Sequence, residues 1–498
     1  MLKVSGINRF AHIPCRFIGT SCLPTIYALS TPPGQRSAIA VVRISGDHSK
    51  YILQRLTNSN KEPTPRLASL RKLYHPDQKE NLLDTSLTLF FESPRTFTGE
   101  DILELHLHGG KAVTGAVLKA IESLHDLKKG FNIRYANPGE FSLRAFQNGK
   151  FDLTEIEGIK ELIDAETETQ RKSALSSFNG ENKLRFLQWR SQIVDNIAKL
   201  TAIIDFGEDT EIEDIENIIM NVESHILELR AVIQQFINKI ERSNILRNGI
   251  RIVLLGPPNA GKSSLINTIS QDDISIVSQT PGTTRDAVET ALNIGGYKII
   301  ICDTAGVRDD SSDVIEKMGI EKALKKSESC NLCLLLVDPN NMPLIPESLK
   351  QHLASPKFQN SDKIIVLNKI DTISTPEDLN HTMLRIHQEI GEKIPILPIS
   401  CLSGEGIDNL TTDLITKFQL LSDTSDESNP IIVSERVREI LTNDVIYGID
   451  EFLSFKDDVV MASESLQHAA TGIGKITGQA IGIEEVLGVV FSSFCVGK

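Results

Sequence analysis

The stretch GPPNAGKSS (residues 256–264) joins an apolar run, IRIVLL, to a helical pattern, SLINTIS. A glycine-framed turn between a strand and a helix lets backbone N–H groups close on phosphate oxygens at the positive end of the helix dipole. Asn259, Ala260, Gly261, Lys262, Ser263 and Ser264 are therefore candidate phosphate-loop residues. Lys262 would reach the β and γ oxygens, and the Ser263 hydroxyl would ligate Mg²⁺. Three further motifs follow in order. DTAG, after KIIIC, makes Asp303, Thr304, Ala305 and Gly306 candidate nucleotide contacts, with Asp303 a magnesium-linked acid and the Gly306 amide a sensor of the γ-phosphate. NKID, after KIIVL, supplies Asn368, Lys369 and Asp371 as a base reader. A carboxylate accepts two hydrogen bonds from the N1 and N2 donors of guanine, which adenine does not offer. Ser400 and Cys401 in ISCLSGEG would support the base. Together the four motifs favour GTP over ATP.

The segment GTTRD (residues 282–286) puts Thr284 where it would close on Mg²⁺ when a γ-phosphate is present. Ras-like GTPases carry a glutamine after DTAG to orient the attacking water, whereas here Val307 stands in that place and cannot do so, so hydrolysis must recruit other groups. Asn259 suggests one. Its side-chain oxygen beside the phosphates could help hold a monovalent cation where an arginine finger would put its charge, or it could simply shape the loop.

These residues need a scaffold, and the 498-residue chain is long enough for several domains. Its 40% apolar and 24% charged content is that of a soluble globular protein. No apolar run is long enough to span a bilayer. Seven cysteines without framework spacing fit a reducing compartment. Cys330 and Cys333 in CNLC have metal-like local spacing but lie in an apolar run without a second pair, so zinc is not expected there. A net charge of −14 argues against a broad nucleic-acid grip, which depends on neutralising phosphates; any such role needs a local basic site or a basic partner. The first acidic residue is Asp47, preceded by Lys3, Arg9, Arg16, Arg36 and Arg43 among serines and threonines. That lead resembles a mitochondrial transit peptide, with folded structure expected from YALSTPPG (from Tyr27) and Cys15 and Cys22 removed.

Strand-like SAIAVVRIS and SLTLFF and helical AVLKAIESLHDL predict a small α+β domain over residues 25–147. Residues 148–247 turn helical. Ile215, Ile219, Val222, Ile226, Leu229, Ile233, Phe236 and Ile240 recur at helical spacing and read as a packing stripe. Over 248–421, IRIVLL, KIIICD, NLCLLLVD, KIIVLN and KIPILPIS alternate with helical stretches and predict a mostly parallel sheet covered on both faces. SDTSDESNP is a polar linker, and 422–498 is again helical, so the nucleotide domain is expected as an insertion between two helical halves.

With TPPGQRSAIAVVRISG, FTGEDILELHLHGG, NPGEFSLRAFQNGKFDLTEIEGIKELIDAET and the ending FSSFCVGK, the sequence resembles the MnmE/TrmE family of tRNA-modifying GTPases in a mitochondrial form. The resemblance covers nearly everything after residue 25. It implies an α+β multidomain fold: an N-terminal folate-binding-like and dimerisation domain, a discontinuous all-α domain and an inserted Ras-like α/β GTPase domain. It also implies a matrix homodimer that acts with an FAD-containing partner of the MnmG/GidA type in carboxymethylaminomethyl-type modification of the wobble uridine, position 34, of mitochondrial tRNAs. Mg²⁺ would be held by Ser263 and Thr284, and K⁺ by Asn259, Ser278, Thr280 and Thr283; Arg285 and Asp286 match the family's switch. Glu316 in EKMG would help position catalytic water, although one extra residue separates it from DTAG. A 5-formyl- or 5,10-methylene-type tetrahydrofolate would lie at Arg43, Glu104, Lys150 and Lys498.

Strand alternation in ILELHLHGG adds independent support, since Leu103, Leu105 and Leu107 share one face and Glu104, His106 and His108 the other. A carboxylate on the polar face can pair with the aminopyrimidine edge of a pterin. His-x-His also invites a metal reading, but no third ligand is identifiable. Cys495, near the chain end, is a candidate nucleophile or proton donor. A regulatory or assembly GTPase of mitochondrial ribosomes is the alternative reading.

Overall fold

The computed structural model describes residues 23–206, 215–271, 289–302, 330–355, 362–390, 394–422, 433–455, 458–479 and 497. The chain divides into two compact units, one of residues 1–151 with 482–498 and one of residues 152–481. The basic lead lies outside the described residues.

The first unit is built on a six-stranded sheet: β1 (Thr25–Leu29), β2 (Ser37–Ser45), β3 (Ser69–His75), β4 (Gln78–Phe91), β5 (Ile102–Gly109) and β6 (Ile133–Tyr135), in the order β3-β4-β5-β2-β1-β6. Only the β1–β6 pair is parallel. One face presents Val42, Ile44, Leu103, Leu105 and Leu107 to the helices Ser49–Thr57 and Lys111–Glu122. On the other face, Ile26 and Ala28 pack with Phe141 of the helix Glu140–Gln147. SLTLFF is the inner end of a longer strand than its apolar pattern predicts. β4 continues outward as QKENLLDT, and β3, SLRKLYH, pairs along both parts at the sheet's edge with only Leu73 buried, where charge guards an unpaired rim.

In the second unit, helices from both ends share one core. Phe186, Trp189 and Ile193 of the helix Glu181–Phe206 and Val222, Ile226, Leu229, Ile233, Phe236 and Ile240 of the helix Ile215–Asn248 pack with Val437, Ile449, Phe452, Leu466 and Ile473. The stripe foreseen on Ile215–Asn248 is the buried face. Capping boxes start the helices Leu153–Asp164 (Asp152 with Glu155) and Glu168–Phe178 (Thr167 with Gln170), each pairing two otherwise orphaned amides. Arg436 ties the halves together: its Nε donates to Glu157, 2.8 Å, and its Nη atoms cap the carbonyls of Lys475 and Ile476. Within the helix Val459–Thr477, Gly472 faces Asp444 and Val445, and the backbone around Ser465 and Ala469 lies so close to Gly448 that a β-carbon there would stand 2.8 Å from the Ser465 carbonyl.

The inserted sheet runs β12-β11-β10-β7-β9-β8: β7 (Ile250–Leu255), β8 (Glu289–Ile294), β9 (Tyr297–Cys302), β10 (Leu332–Val337), β11 (Asp362–Leu367) and β12 (Ile396–Pro398). All pairs are parallel except β8 with β9. Alternate residues enter separate cores on the two faces: Ile252, Leu254 and Leu334 on one, Val253, Leu255 and Leu335 on the other. Cys333 is one of these core residues, and burial pushes its thiol well up.

Replacing Gly448, on the helix Tyr447–Ser454, by leucine should force that helix and Val459–Thr477 apart at a cost of about 1–3 kcal/mol. Trp189, the only tryptophan, sits in that core and reports it. The expected result is a lower urea midpoint for Trp189 fluorescence; an unshifted midpoint would show that the helices do not pack through this glycine.

Candidate functional site

Strand β7 delivers the phosphate loop to the carboxyl edge of the parallel sheet, where open α/β sheets bind ligands. Gly256 has φ +151°, and a β-carbon on it would stand 2.5 Å from the Leu336 carbonyl of β10, so the loop starts in close backbone contact with the neighbouring strand. The turn then passes through Asn259 at φ +61° and Gly261 at φ +99°. Asparagine tolerates this left-handed conformation better than most residues, so Asn259 does shape the loop. The helix Lys262–Gln271 follows, with Leu265 buried beneath it and Ser263 and Ser264 exposed in its first turn. The Lys262 ammonium donates to the carbonyls of Gly256 and Pro257, 2.9 Å each, which holds it across the mouth of the loop.

The NKID residues expected to read the base meet this loop through Asn368. Its buried side chain donates from Nδ2 to the Ala260 carbonyl, 2.9 Å, and accepts at Oδ1 from the Cys401 amide, 3.2 Å, while its own amide donates to Val337. One carboxamide thus joins the phosphate loop, the end of β11 and the loop after β12. Lys369, at φ +64°, sends its ammonium to Asp338, 2.6 Å. Asp338 is buried and also accepts from the backbone and side chain of Asn340. Asp371, in the turn Ile370–Thr372, accepts from the Ser400 hydroxyl, and the Ser403 amide donates to that hydroxyl in turn, 3.1 Å. Cys401 contributes its amide; burial pushes its thiol up. Asp338 was not among the residues singled out in the sequence. The available signal was its place at the end of a central parallel strand, in LLLVDPNN. Ser278, Thr280, Thr283, Thr284, Arg285, Asp286, Asp303, Thr304, Ala305, Gly306 and Glu316 lie outside the described residues.

In the first unit, Arg43 of β2 and Glu104 of β5 are register partners. The Arg43 Nε and Nη2 both lie 3.1 Å from Glu104 Oε1, and the guanidinium stands 5.6 Å from the centre of the Phe97 ring. Phe97 packs against Phe151, and Lys150 donates to the Pro94 carbonyl of the same loop. Arg43 and Glu104 therefore touch, and Lys150 joins them through the loop that carries Phe97. That loop is fixed by Glu100, which accepts from Ser45 and from the buried Arg144. Arg144 also pairs with Glu140. Burial would raise the Glu140 carboxyl, but hydrogen bonds from Arg134, Asn137 and Arg144 hold it low.

The other two expected members, Cys495 and Lys498, lie outside the described residues, but Gly497 between them is described. Its carbonyl accepts from Ser30 Oγ, 3.0 Å, and at φ +93° it lies so near β1 that a β-carbon would stand 2.5 Å from the Leu29 carbonyl. Ser30 in turn donates its amide to Val41 of β2. Of the His-x-His pair, His108 is joined to Asp84 at 2.7 Å, and His106 Nε2 faces Glu104 Oε2 at 3.5 Å.

Asn368→Ala should leave the Ala260 carbonyl and the Cys401 amide without their partner. That loss, about 1–3 kcal/mol, corresponds to weakening of GDP binding by about fivefold to a hundredfold. Fluorescent-nucleotide titration measures it, and unchanged affinity would remove Asn368 from its joining role.

The model of the GTP-binding protein TrmE N-terminus matches residues 25–150, and that of the MnmE helical domain matches residues 153–495. The mitochondrial tRNA modification GTPase of Saccharomyces cerevisiae is 56% identical to this chain, over 95% of it and 93% of that protein. The mitochondrial 5-taurinomethyluridine tRNA synthase subunit of Danio rerio is 38% identical over 95% of this chain and 93% of that one. The tRNA modification GTPase MnmE of the Wolbachia of Brugia malayi is 38% identical over 95% and 99% respectively. Matched by both models and along nearly its whole length by such relatives, the chain belongs to the MnmE (TrmE) family of tRNA modification GTPases.

Proposed function

We propose that this chain is a mitochondrial GTP hydrolase that works in modification of the wobble uridine of mitochondrial tRNAs, in a carboxymethylaminomethyl-type or related reaction. The observation that carries the nucleotide half is the Asn368 carboxamide between Ala260 and Cys401, with Asp371 held beside it by Ser400. These contacts bring the loop 256–264 and the Asp371 carboxylate to one edge of the sheet, which supports a reading in which they hold the phosphates and guanine. Residues 1–24 would serve as the transit peptide, residues 25–147 as the folate-binding and dimerisation domain, 148–247 and 422–498 as the helical domain, and 248–421 as the GTPase domain.

In this reading Lys262 leaves the Gly256 and Pro257 carbonyls for the β and γ oxygens, and the exposed Ser263 hydroxyl helps hold Mg²⁺ with Thr284. Asn259 combines its loop-shaping φ with a share in a K⁺ site alongside Ser278, Thr280 and Thr283, while Glu316 positions water. In the first unit the donor set suits a reduced folate: a carboxylate, a guanidinium and an aromatic ring adjoin on one sheet face. When bound, such a folate supplies a one-carbon unit. Arg43 and Glu104 orient it, Lys150 and Lys498 offer charge to its acidic end, and Cys495 acts as nucleophile or proton donor. A homodimer with an FAD-containing MnmG/GidA-type partner fits the net charge of −14, because the partner would bring most of the basic tRNA surface.

Deleting the gene should abolish the modified wobble uridine in nucleoside mass spectra of mitochondrial tRNA; an unchanged profile would refute the tRNA reading. Asp371→Asn should shift preference from GTP toward xanthosine triphosphate by at least about tenfold, because the amide donates where xanthine carries a carbonyl and no longer accepts both guanine donors. Competition binding measures the ratio. GTP turnover should be faster in K⁺ than in Na⁺, and equal rates would reject the cation role of Asn259.

A further inference from the structure

His106 is the one part of the β5 polar face that neither the folate reading nor an internal pairing absorbs. Its side chain projects from the same face as Glu104, two residues along the strand, with Val41 and Leu87 as its register partners. The ring is partly exposed, yet Nε2 is shielded from solvent and makes no hydrogen bond to any described residue. A polar atom buried without a partner typically costs about 1–3 kcal/mol, so its persistence calls for a partner that arrives from elsewhere. Next to it, 3.5 Å away, is Glu104 Oε2, the oxygen turned away from Arg43, which takes Oε1. With its proton on Nε2, the ring is a donor beside that acceptor. The face therefore offers an acceptor and a donor side by side.

We propose that His106 is a specificity-determining residue of this site, donating from Nε2 to the 4-oxo group of a 2-amino-4-oxo pterin while Glu104 Oε2 accepts from the adjacent ring N–H. The inference rests on the folate reading above and adds to it a rule of selection. A 4-amino pterin presents a donor where His106 also presents one, so the site rejects it. His108, one pleat further along, is held by Asp84 and takes no part.

The test is calorimetric titration of the full chain with 5-formyltetrahydrofolate and with its 4-amino-4-deoxy counterpart. The wild-type chain should prefer the 4-oxo ligand. In His106→Leu, affinity for the 4-oxo ligand should fall roughly tenfold while the 4-amino ligand binds no worse, so the preference collapses. His106→Gln, which keeps a donor, should restore part of it. Equal weakening of both ligands in His106→Leu would reduce His106 to a packing residue and overturn the proposal. Unchanged binding of both would overturn it while leaving the folate reading intact, and a wild-type chain that binds neither would remove both.

Discussion

One buried carboxamide holds the nucleotide edge together. Asn368 is 1% exposed, and its two polar atoms and its amide reach Ala260 and Cys401, on two different connections of the inserted sheet, and Val337 at the end of strand β10. Because the side chain is shielded from water, each of these bonds is stronger than on the surface and each is costly to leave unmade. The glycines beside it are consequences of this packing. Gly261 lies so near that a β-carbon would stand 2.1 Å from Asn368 Nδ2, and Gly256 meets the Leu336 carbonyl. The loop can approach phosphates because nothing larger than hydrogen separates it from the strands behind.

The charged residues around this joint have different partners. Asp338 is buried at the end of β10 and holds the Lys369 ammonium at 2.6 Å, while Asn340 satisfies its remaining acceptor capacity. Lys369 is thus fixed by a different carboxylate from Asp371, which accepts from the Ser400 hydroxyl. Two acids at neighbouring strand ends have different tasks because one is paired with a cation and the other with a hydroxyl.

Much of this was legible from residue patterns, for identifiable reasons. Parallel strands buried on both faces are continuous apolar runs, and IRIVLL, NLCLLLVD and KIIVLN stand out as such. The helical stripe from Val222 to Ile240 was legible because its whole face enters one core. What pattern did not reveal is polar or distant in sequence. The edge strand SLRKLYH has no apolar alternation to betray it, and its partner extends SLTLFF outward through charged residues. The Asp338–Lys369 pair spans 31 positions, Arg436–Glu157 spans 279 and Ser30–Gly497 spans 467. Such pairs are set by topology, and a single sequence carries no term for them. The resemblance implied Lys498 beside Arg43 and Glu104; nothing in the pattern announced the Ser30 hydroxyl that donates to the Gly497 carbonyl.

The insertion of the nucleotide sheet between two helical segments has a mechanical reading that follows from one helix. Ile215–Asn248 has 34 residues, which at 1.5 Å per residue is about 50 Å of rod. Its middle, Val222 to Ile240, is buried in the helical core, while Leu246 in its last turn belongs to the core of the sheet. A rigid element shared by two cores carries displacement between them rather than absorbing it. The junction is reinforced laterally: Gln170 donates to the Leu246 carbonyl at 2.9 Å, and Lys298 of β9 pairs with Glu166. A single residue, Gly249 at φ +87°, joins the rod to β7, and it is hemmed in by Ile300 and Lys298. Strand β9 leads directly into DTAG. Through Lys298, that strand is paired with Glu166 in the connection between the helices Leu153–Asp164 and Glu168–Phe178, so the strand that precedes DTAG and the start of the helical segment are tied by a direct ion pair.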